Sequence, residues 1–294
     1  MRSGIVTIVG RPNVGKSSLL NAVVGHKVSI VSHKPQTTRH RIQGVLHAES
    51  GQIVFVDTPG LHRQQKRALN RAMNEAAVAA IQDVDLVLFV VEAGRWTEED
   101  QAVLERVRRL TTPVALVVNK IDRIPERTRL LPELQKLGAL HDWAFLMPLS
   151  ALKRDNLEAL ATEILSRLPE GPALYPEDML VGHDISFTAA EIVREKLIRS
   201  LHQELPYALT VEIENYERDG NMDRISAVIW VERDNQKMIV IGEGGEQLKR
   251  IGSAARRDLE RELGRKVFLQ LWCKVRENWS DDPKALKRFG LSLD

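Results

Sequence analysis

At 294 residues, with 43% hydrophobic and 28% charged side chains, the chain is long enough for two domains and too ordinary in composition for a fibre or a disordered polymer. A single cysteine, Cys273, excludes an intrachain disulfide, the eight histidines do not recur at zinc-ligand spacings, and no apolar run approaches the roughly 18 residues of a membrane span. The opening MRSGIVTIVGRPN is interrupted too early for a signal peptide, so a reducing, cytoplasmic setting is expected. The net charge of +2 says little, but its distribution does: residues 237–276 hold 10 Lys and Arg against 5 Asp and Glu, whereas everything from residue 173 onward holds 19 against 22.

IVTIV (5–9) reads as a buried strand, and GRPNVGKS (10–17) leads from it into an apolar helix. RIQGVLHA and QIVFVDT, separated by Glu49-Ser50-Gly51, read as a hairpin that makes one strand antiparallel. KRALNRAMNEAAVAAIQ (66–82) has helical periodicity, LVLFVV (86–91) is a strand, and Thr97-Glu98-Glu99-Asp100 resembles a capping box that starts a helix. VALVV (114–118) and FLMPL (145–149) are further strands, and DNLEALATEILSRL (155–168) a further helix. This alternation predicts an α/β domain with a mixed, mostly parallel sheet covered on both faces.

PEGPALYPED, with three prolines and a glycine in ten residues, marks a boundary. The expected organisation is a first domain over residues 1–169, a linker over 170–186 and a smaller α+β domain with a tail over 187–294. In the second domain FTAAEIVREKLIRSLHQ (187–203) is a long helix, and ALTVEIENYE and RISAVIWVER are strands joined through Arg218-Asp219-Gly220-Asn221. The apolar stretch MIVI then precedes a glycine turn, the helix EQLKRIGSAARRDLERELG and the strand KVFLQLWCKV. A short tail helix in DDPKALKRFG offers Lys284, Lys287 and Arg288 to a ligand surface or to water.

GRPNVGKS is a GxxxxGKS loop between a strand and a helix. Backbone N–H groups between Arg11 and Ser17 would wrap phosphates, Lys16 would neutralise the β- and γ-oxygens, and the Ser17 hydroxyl would ligate Mg²⁺. DTPG (57–60) follows a strand, so Asp57 can hold Mg²⁺ through water and Gly60 can offer its N–H to the γ-phosphate. NKID (119–122) also follows a strand, and a carboxylate at Asp122 can accept two hydrogen bonds that guanine offers and adenine does not. GTP is therefore expected over ATP, which disfavours an ATP-dependent kinase or transporter subunit. SAL (150–152) could supply a backbone N–H, from Ala151, to the guanine oxygen. In PQTTRHR (35–41), Thr38, preferred to Thr37, would complete the Mg²⁺ shell in the triphosphate state.

Gly242-Glu243-Gly244-Gly245 lacks the Lys-Ser of a mononucleotide loop but fits a GxxG turn that clamps the backbone of single-stranded RNA. Taken alone, such a turn is also an ordinary helix cap. Lys249, Arg250, Arg256 and Arg257 follow on one helix and can supply the phosphate-binding charge that Glu243 cannot, while Ile239, Ile241, Leu248 and Ile251 would form an aliphatic groove. With 5% aromatic residues, an aromatic stacking sheet is not expected.

GRPNVGKS, QTTRH, DTPGL, NKID and SAL resemble the five nucleotide-binding motifs of the translation-factor class of GTPases. With the linker and the IGEGG turn, nearly the whole chain resembles the bacterial Era family, a P-loop GTPase domain joined to a type II KH domain. The resemblance implies GTP/GDP and Mg²⁺ as ligands, with nucleotide contacts from Gly10, Asn13, Val14, Gly15, Lys16, Ser17, Ser18, Asp57, Gly60, Asn119, Lys120, Asp122, Ser150 and Ala151. It implies metal contacts from Ser17, Thr38 and Asp57, and catalytic roles for Lys16, Thr38, Gly60 and Asn13. Leu61 stands where signalling GTPases carry a water-orienting glutamine, and Asn13 resembles the asparagine of potassium-activated members, so K⁺ is expected to stimulate hydrolysis. The implied partners are the 3′ end of small-subunit (16S) rRNA and the 30S subunit, with a role in its assembly. The alternative is a signalling switch whose C-terminal domain docks on protein or, peripherally, on the acidic inner face of the membrane.

Overall fold

Two units emerge in the computed structural model: Met1–Ser29, Thr38–Arg63 and Met73–Gly182 form the first, and Ile30–Thr37, Gln64–Ala72 and His183–Asp294 the second. Their division falls inside the 170–186 connection, and two short segments of the N-terminal half cluster with the second unit. The structure describes residues 1–31, 37, 39, 42–57, 68–79, 83–126, 128, 130–176, 184–201 and 205–291. Thr38, Gly60, Leu61 and His62 therefore lie outside the described residues.

The chain runs β1 (Arg2–Val9), α1 (Lys16–Val24), β2 (Ile42–Ala48), β3 (Gly51–Asp57), α2 (Ala68–Ala79), β4 (Leu86–Glu92), α3 (Glu98–Val107), β5 (Val114–Asn119), α4 (Leu130–Gly138), β6 (Leu146–Pro148) and α5 (Leu157–Arg167). The strands form one sheet in the order β2-β3-β1-β4-β5-β6, with β2 antiparallel to β3 and the other pairs parallel. Continuous burial along β3, β4 and β5 explains their unbroken apolar runs, since helices cover both faces of a parallel sheet. Helix α3 begins at the expected capping box: the Thr97 side chain accepts from the Asp100 N–H, and the Asp100 carboxylate accepts in return from the Thr97 N–H at 2.9 Å. Helix α4 has no counterpart among the sequence expectations; its proline, Pro132, lies in the first turn, where an intrahelical N–H partner is not required. The proline-rich stretch is tied down along the strands of this unit, the Gln52 amide oxygen accepting from the N–H groups of Leu174 (2.8 Å) and Tyr175 (3.0 Å).

The second unit contains α6 (Ile185–Ser200), β7 (Leu209–Asp219), β8 (Met222–Val231), α7 (Asp234–Ile241), α8 (Glu246–Leu263), β9 (Lys266–Val275) and α9 (Pro283–Arg288). Its sheet has the order β7-β8-β9, antiparallel then parallel. The core joins α6, α8 and the inner sheet face through Leu197, Ile225, Ile229, Ile251, Ala255 and Leu259. The MIVI stretch is the end of α7, whose start is stabilised by Gln236, a side chain that accepts from the N–H groups of Glu232 and Arg233. Within this unit the buried Arg194 guanidinium donates to the Thr37 carbonyl, and Arg199 donates to the Val31 carbonyl at 2.9 Å.

Arg288 is exposed and also forks onto the Glu212 carboxylate at 2.8 and 3.1 Å, which fastens the tail helix to β7. Despite the low aromatic content, Phe268 and Trp272 on β9 are each 42% exposed, because residues two apart on a strand share a face and this face is turned away from the core.

Candidate functional site

The loop between β1 and α1 is shaped by residues that close on it from neighbouring strands. Gly15 adopts φ 103°, and a Cβ there would lie 2.4 Å from the Asn119 amide nitrogen, so side-chain-free backbone is required for the close approach. Asn119 in turn donates to the Val14 carbonyl at 2.9 Å. The buried Lys16 ammonium donates to the carbonyls of Gly10 (2.9 Å) and Arg11 (3.0 Å), so it is held inside the ring of backbone that would surround phosphate. Burial pulls its pKa down to about 8; the Asp57 charge opposes this and the Arg11 charge adds to it. Ser18 continues α1 beside Ser17 and is half-buried.

Ser17, in the first turn of α1, meets Asp57 at the end of β3. The Ser17 hydroxyl donates to Asp57 Oδ2 at 2.8 Å, and the Ser29 hydroxyl donates to the same oxygen at 3.0 Å. Asp57 is fully buried. A hydroxyl and a carboxylate are hard oxygen donors of the kind Mg²⁺ takes beside a nucleotide, so the donor set fits the ion implied by the motifs.

On the other side of the loop, β5 ends in Asn119 and delivers the base-recognition residues. Asn119 Oδ1 accepts from the N–H groups of Lys120 (2.8 Å) and Ala151 (3.1 Å), so the Ala151 N–H is engaged by Asn119 here. The Ser150 hydroxyl donates to the exposed Asp122 carboxylate and orients it. Lys120, in a left-handed conformation with φ 66°, donates to the Asn13 carbonyl at 2.6 Å. Asn13 is itself left-handed, with φ 66°. Sequence reasoning overlooked Glu92 at the end of β4, whose carboxylate meets Arg11 (3.1 Å), Lys120 (3.1 Å) and Arg123 (3.0 Å). The available signal was an acid closing the otherwise apolar run LVLFVVE, directly in register with Asn119.

The glycine turn of the second unit lies between two clefts. One, of about 390 Å³, is lined by Gly245, Lys249, Ser253 and Arg256 over a floor of Leu248, Gly252, Leu269 and Leu271. The other, of about 660 Å³, includes Ile239, Gly242, Glu243, Glu246, Gln247 and Arg250. Gly242 has φ 74°, and a Cβ there would stand 2.6 Å from that of Gln247, which accounts for glycine at the start of the turn; Gly244 (φ 56°) lies at its tip. Helical periodicity thus separates the four cations expected to act together. Lys249 and Arg256 face the first cleft, Arg250 faces the second and donates to Gln247 at 2.6 Å, and the exposed Arg257 lines neither. The aliphatic groove is also corrected: Leu248 lines the first cleft, Ile251 is 1% exposed in the core, Ile241 packs against that core, and Ile239 lines the second cleft. Leu269 and Leu271 take their place, supplied by a strand whose approach to α8 is a tertiary contact.

Comparison with known proteins agrees with both units. Residues 5–120 match the family model described as 50S ribosome-binding GTPase, and residues 204–280 match the KH domain model. GTPase Era of Stenotrophomonas maltophilia strain K279a is 56% identical over 98% of this chain and 96% of its own. GTPase Era of Xanthomonas oryzae pv. oryzae strain MAFF 311018 is 55% identical over 98% of this chain and 97% of its own. Among solved structures, an Aquifex aeolicus Era variant bound to GDP and tetrafluoroaluminate superposes with a TM-score of 0.96 at 41% identity, covering 100% of both chains. An Era complex with MgGDPNP and nucleotides 1506–1542 of 16S ribosomal RNA superposes equally, with a TM-score of 0.96 at 41% identity over 100% of both chains. With its phosphate loop, guanine-directed NKID turn and KH turn carried on these two units, the chain belongs to the Era family of GTPases.

Proposed function

We propose that this GTPase holds single-stranded RNA, the 3′ end of small-subunit rRNA, in its C-terminal unit, and acts in 30S subunit assembly and rRNA maturation in the cytoplasm. The observation that carries the reading is the first cleft: two cations and no acid beside a GxxG turn, above an apolar floor. Lysine and arginine at the rim suit backbone phosphates, whereas the aliphatic floor suits the faces of unstacked bases. The second cleft sets Glu243 and Glu246 against a single cation, Arg250, and suits a polyanion less well. The Era complex with 16S nucleotides supports the same ligand class by homology.

In the first unit, Lys16 neutralises the β- and γ-phosphates, loop N–H groups from Gly10 to Ser18 wrap them, and Asp122, Asn119 and the Ser150-Ala151 turn read guanine. Ser17 and Asp57, joined by Thr38, would hold Mg²⁺. When bound, that ion neutralises the charge that develops on the phosphoryl oxygens. Gly60 would donate to the γ-phosphate, and Asn13 would help bind K⁺. Equal turnover in Na⁺ and K⁺ buffers would remove the Asn13 role. The division into residues 1–169, 170–186 and 187–294 assigns nucleotide chemistry to the first segment and RNA to the last.

The decisive experiment compares binding of an rRNA 3′-terminal oligonucleotide with a scrambled sequence at physiological salt. Preference for the authentic strand, abolished by bulky substitution of Gly244 and Gly245, supports the reading; equal affinity for both strands rejects it. Among the described residues no helix is long and apolar enough to cross a membrane. Binding to anionic vesicles with no preference between RNA strands would favour the membrane-docked alternative instead.

A further inference from the structure

The phosphate loop and the guanine-reading turn sit on separate strand ends, with β4 between them in the order β1-β4-β5. Loops on separate strands do not hold a common geometry unless something spans them. Glu92 closes β4 and is paired in register with Asn119. One of its oxygens, Oε2, lies 3.1 Å from the Arg11 guanidinium of the phosphate loop. The other, Oε1, lies 3.1 Å from the Lys120 ammonium of the guanine turn. We propose that Glu92 is a positioning residue for guanine nucleotide binding, one buried carboxylate that holds the phosphate loop through Arg11 and the base-recognition turn through Lys120.

The surroundings fit this role better than that of a surface ion pair. The Glu92 side chain is 9% exposed and that of Arg11 6%. Arg11 is held from its other side by Asp100 at 2.9 Å, the same carboxylate that caps α3 through Thr97. The guanidinium therefore has a fixed position, and its own backbone carbonyl accepts from Lys16 at 3.0 Å. On the far side the Lys120 ammonium is shared between Glu92 and the Asn13 carbonyl of the phosphate loop. Its aliphatic stem passes close to Gly15, where an added Cβ would come within 3.9 Å of Lys120 Cε. Glu92 thus decides where that stem lies, and the stem forms a wall beside Asn119, the first residue of the guanine turn. Without the carboxylate, the buried Arg11 guanidinium and the half-buried Lys120 ammonium face each other, and Lys120 loses one of its two anchors.

Burial works against ionisation of Glu92, but hydrogen bonds and charges from Lys120 and Arg11 outweigh it and hold the carboxyl below its usual range. The group is therefore charged at neutral pH, as bridging two cations requires.

Because the Glu92 carboxylate is engaged by Arg11, Lys120 and Arg123 and not by Ser17 or Asp57, its removal should act on binding and leave the chemical step alone. Glu92→Gln in the full-length protein is expected to raise the Kd of fluorescent GDP and GTP analogues about tenfold and equally, raise KM by a similar factor, and leave kcat within about twofold. Arg123→Ala removes the exposed outer partner and should change Kd less than about twofold. In a Lys120→Met background, Glu92→Gln should add less than about a threefold further loss, since the two act through one contact. A purely structural residue would lower the melting temperature with no such coupling to Lys120. Unchanged Kd in folded Glu92→Gln, an effect confined to kcat, or full additivity with Lys120→Met overturns the proposal. If Glu92→Gln does not fold, Glu92→Asp decides: its charge is kept but its reach is shorter, so a raised Kd with unchanged kcat supports the bridge and wild-type Kd overturns it.

Discussion

The Ser17 hydroxyl donates a 2.8 Å hydrogen bond to Asp57 Oδ2, joining the first turn of α1 to the end of β3. The phosphate loop and the DTPG motif thus meet at a pair of hard oxygen donors. Asp57→Asn weakens the carboxylate contribution to a divalent ion, and the Mg²⁺ concentration for half-maximal GTP hydrolysis is expected to rise about 10–100-fold. Titration of turnover with MgCl₂ measures this. GDP binding in EDTA should change little, because phosphate wrapping by the loop N–H groups does not pass through Asp57.

Lys16 sets a pH limit on nucleotide binding. In the free protein its ammonium loses the proton near pH 8, because burial lowers its pKa. Phosphate binding stabilises the charged form and raises that pKa, so above about pH 8 binding must take up a proton. Affinity for GDP should be flat below this pH and fall as pH rises through it, approaching tenfold per unit. Fluorescence titrations between about pH 7 and pH 9 read the effect, and Lys16→Met should remove the dependence along with most of the affinity.

Asp122 is oriented by the Ser150 hydroxyl and presents acceptors only. Asp122→Asn turns one acceptor into a donor, and GTP affinity should fall by about 2–3 kcal/mol while xanthosine triphosphate becomes the better ligand. Competition of the two nucleotides for one site checks the exchange. Ser150→Ala should produce a weaker loss of the same kind, since it frees the carboxylate to rotate.

The two faces of α8 should separate in RNA binding. Lys249 and Arg256 line the cleft against β9, whereas Arg250 and Arg257 do not. Reversing the first pair to glutamate is expected to weaken a single-stranded RNA complex more than about tenfold and to reduce the salt slope by about 2. The same change at Arg250 and Arg257 should cost less than about threefold. Equal losses from both pairs would return the binding surface to the whole helix.

Much of the architecture was legible because its signals are local. Unbroken β-branched runs mark strands buried on both faces, and the Thr97-Asp100 box is closed by groups three residues apart, while the Pro-Gly cluster lies within the first unit, shortly before the division after Gly182. What was not legible shares a physical origin. The sequence left the apolar MIVI stretch unassigned, since it is equally compatible with strand or helix until Gln236 and Arg233 set the start of α7. Ile251 and Leu248 are both aliphatic residues of α8, and only the placement of β9 and the core assigns one to the cleft and the other to the interior.

The amino-acid order alone determined that this chain carries a phosphate-loop motif, a separate NKID motif expected to read guanine, and a GxxG turn. Those properties reside in eight or fewer consecutive residues whose backbone geometry and functional groups are set by glycine, lysine and carboxylate spacing. Only the tertiary structure decided that Glu92 joins Arg11 to Lys120, that Ser17 meets Asp57, and that Lys249 and Arg256 of α8 line the first cleft. Each of these depends on which strands and helices become neighbours. That choice is made by burial of apolar surface across the whole unit, a sum over distant residues that no short stretch contains.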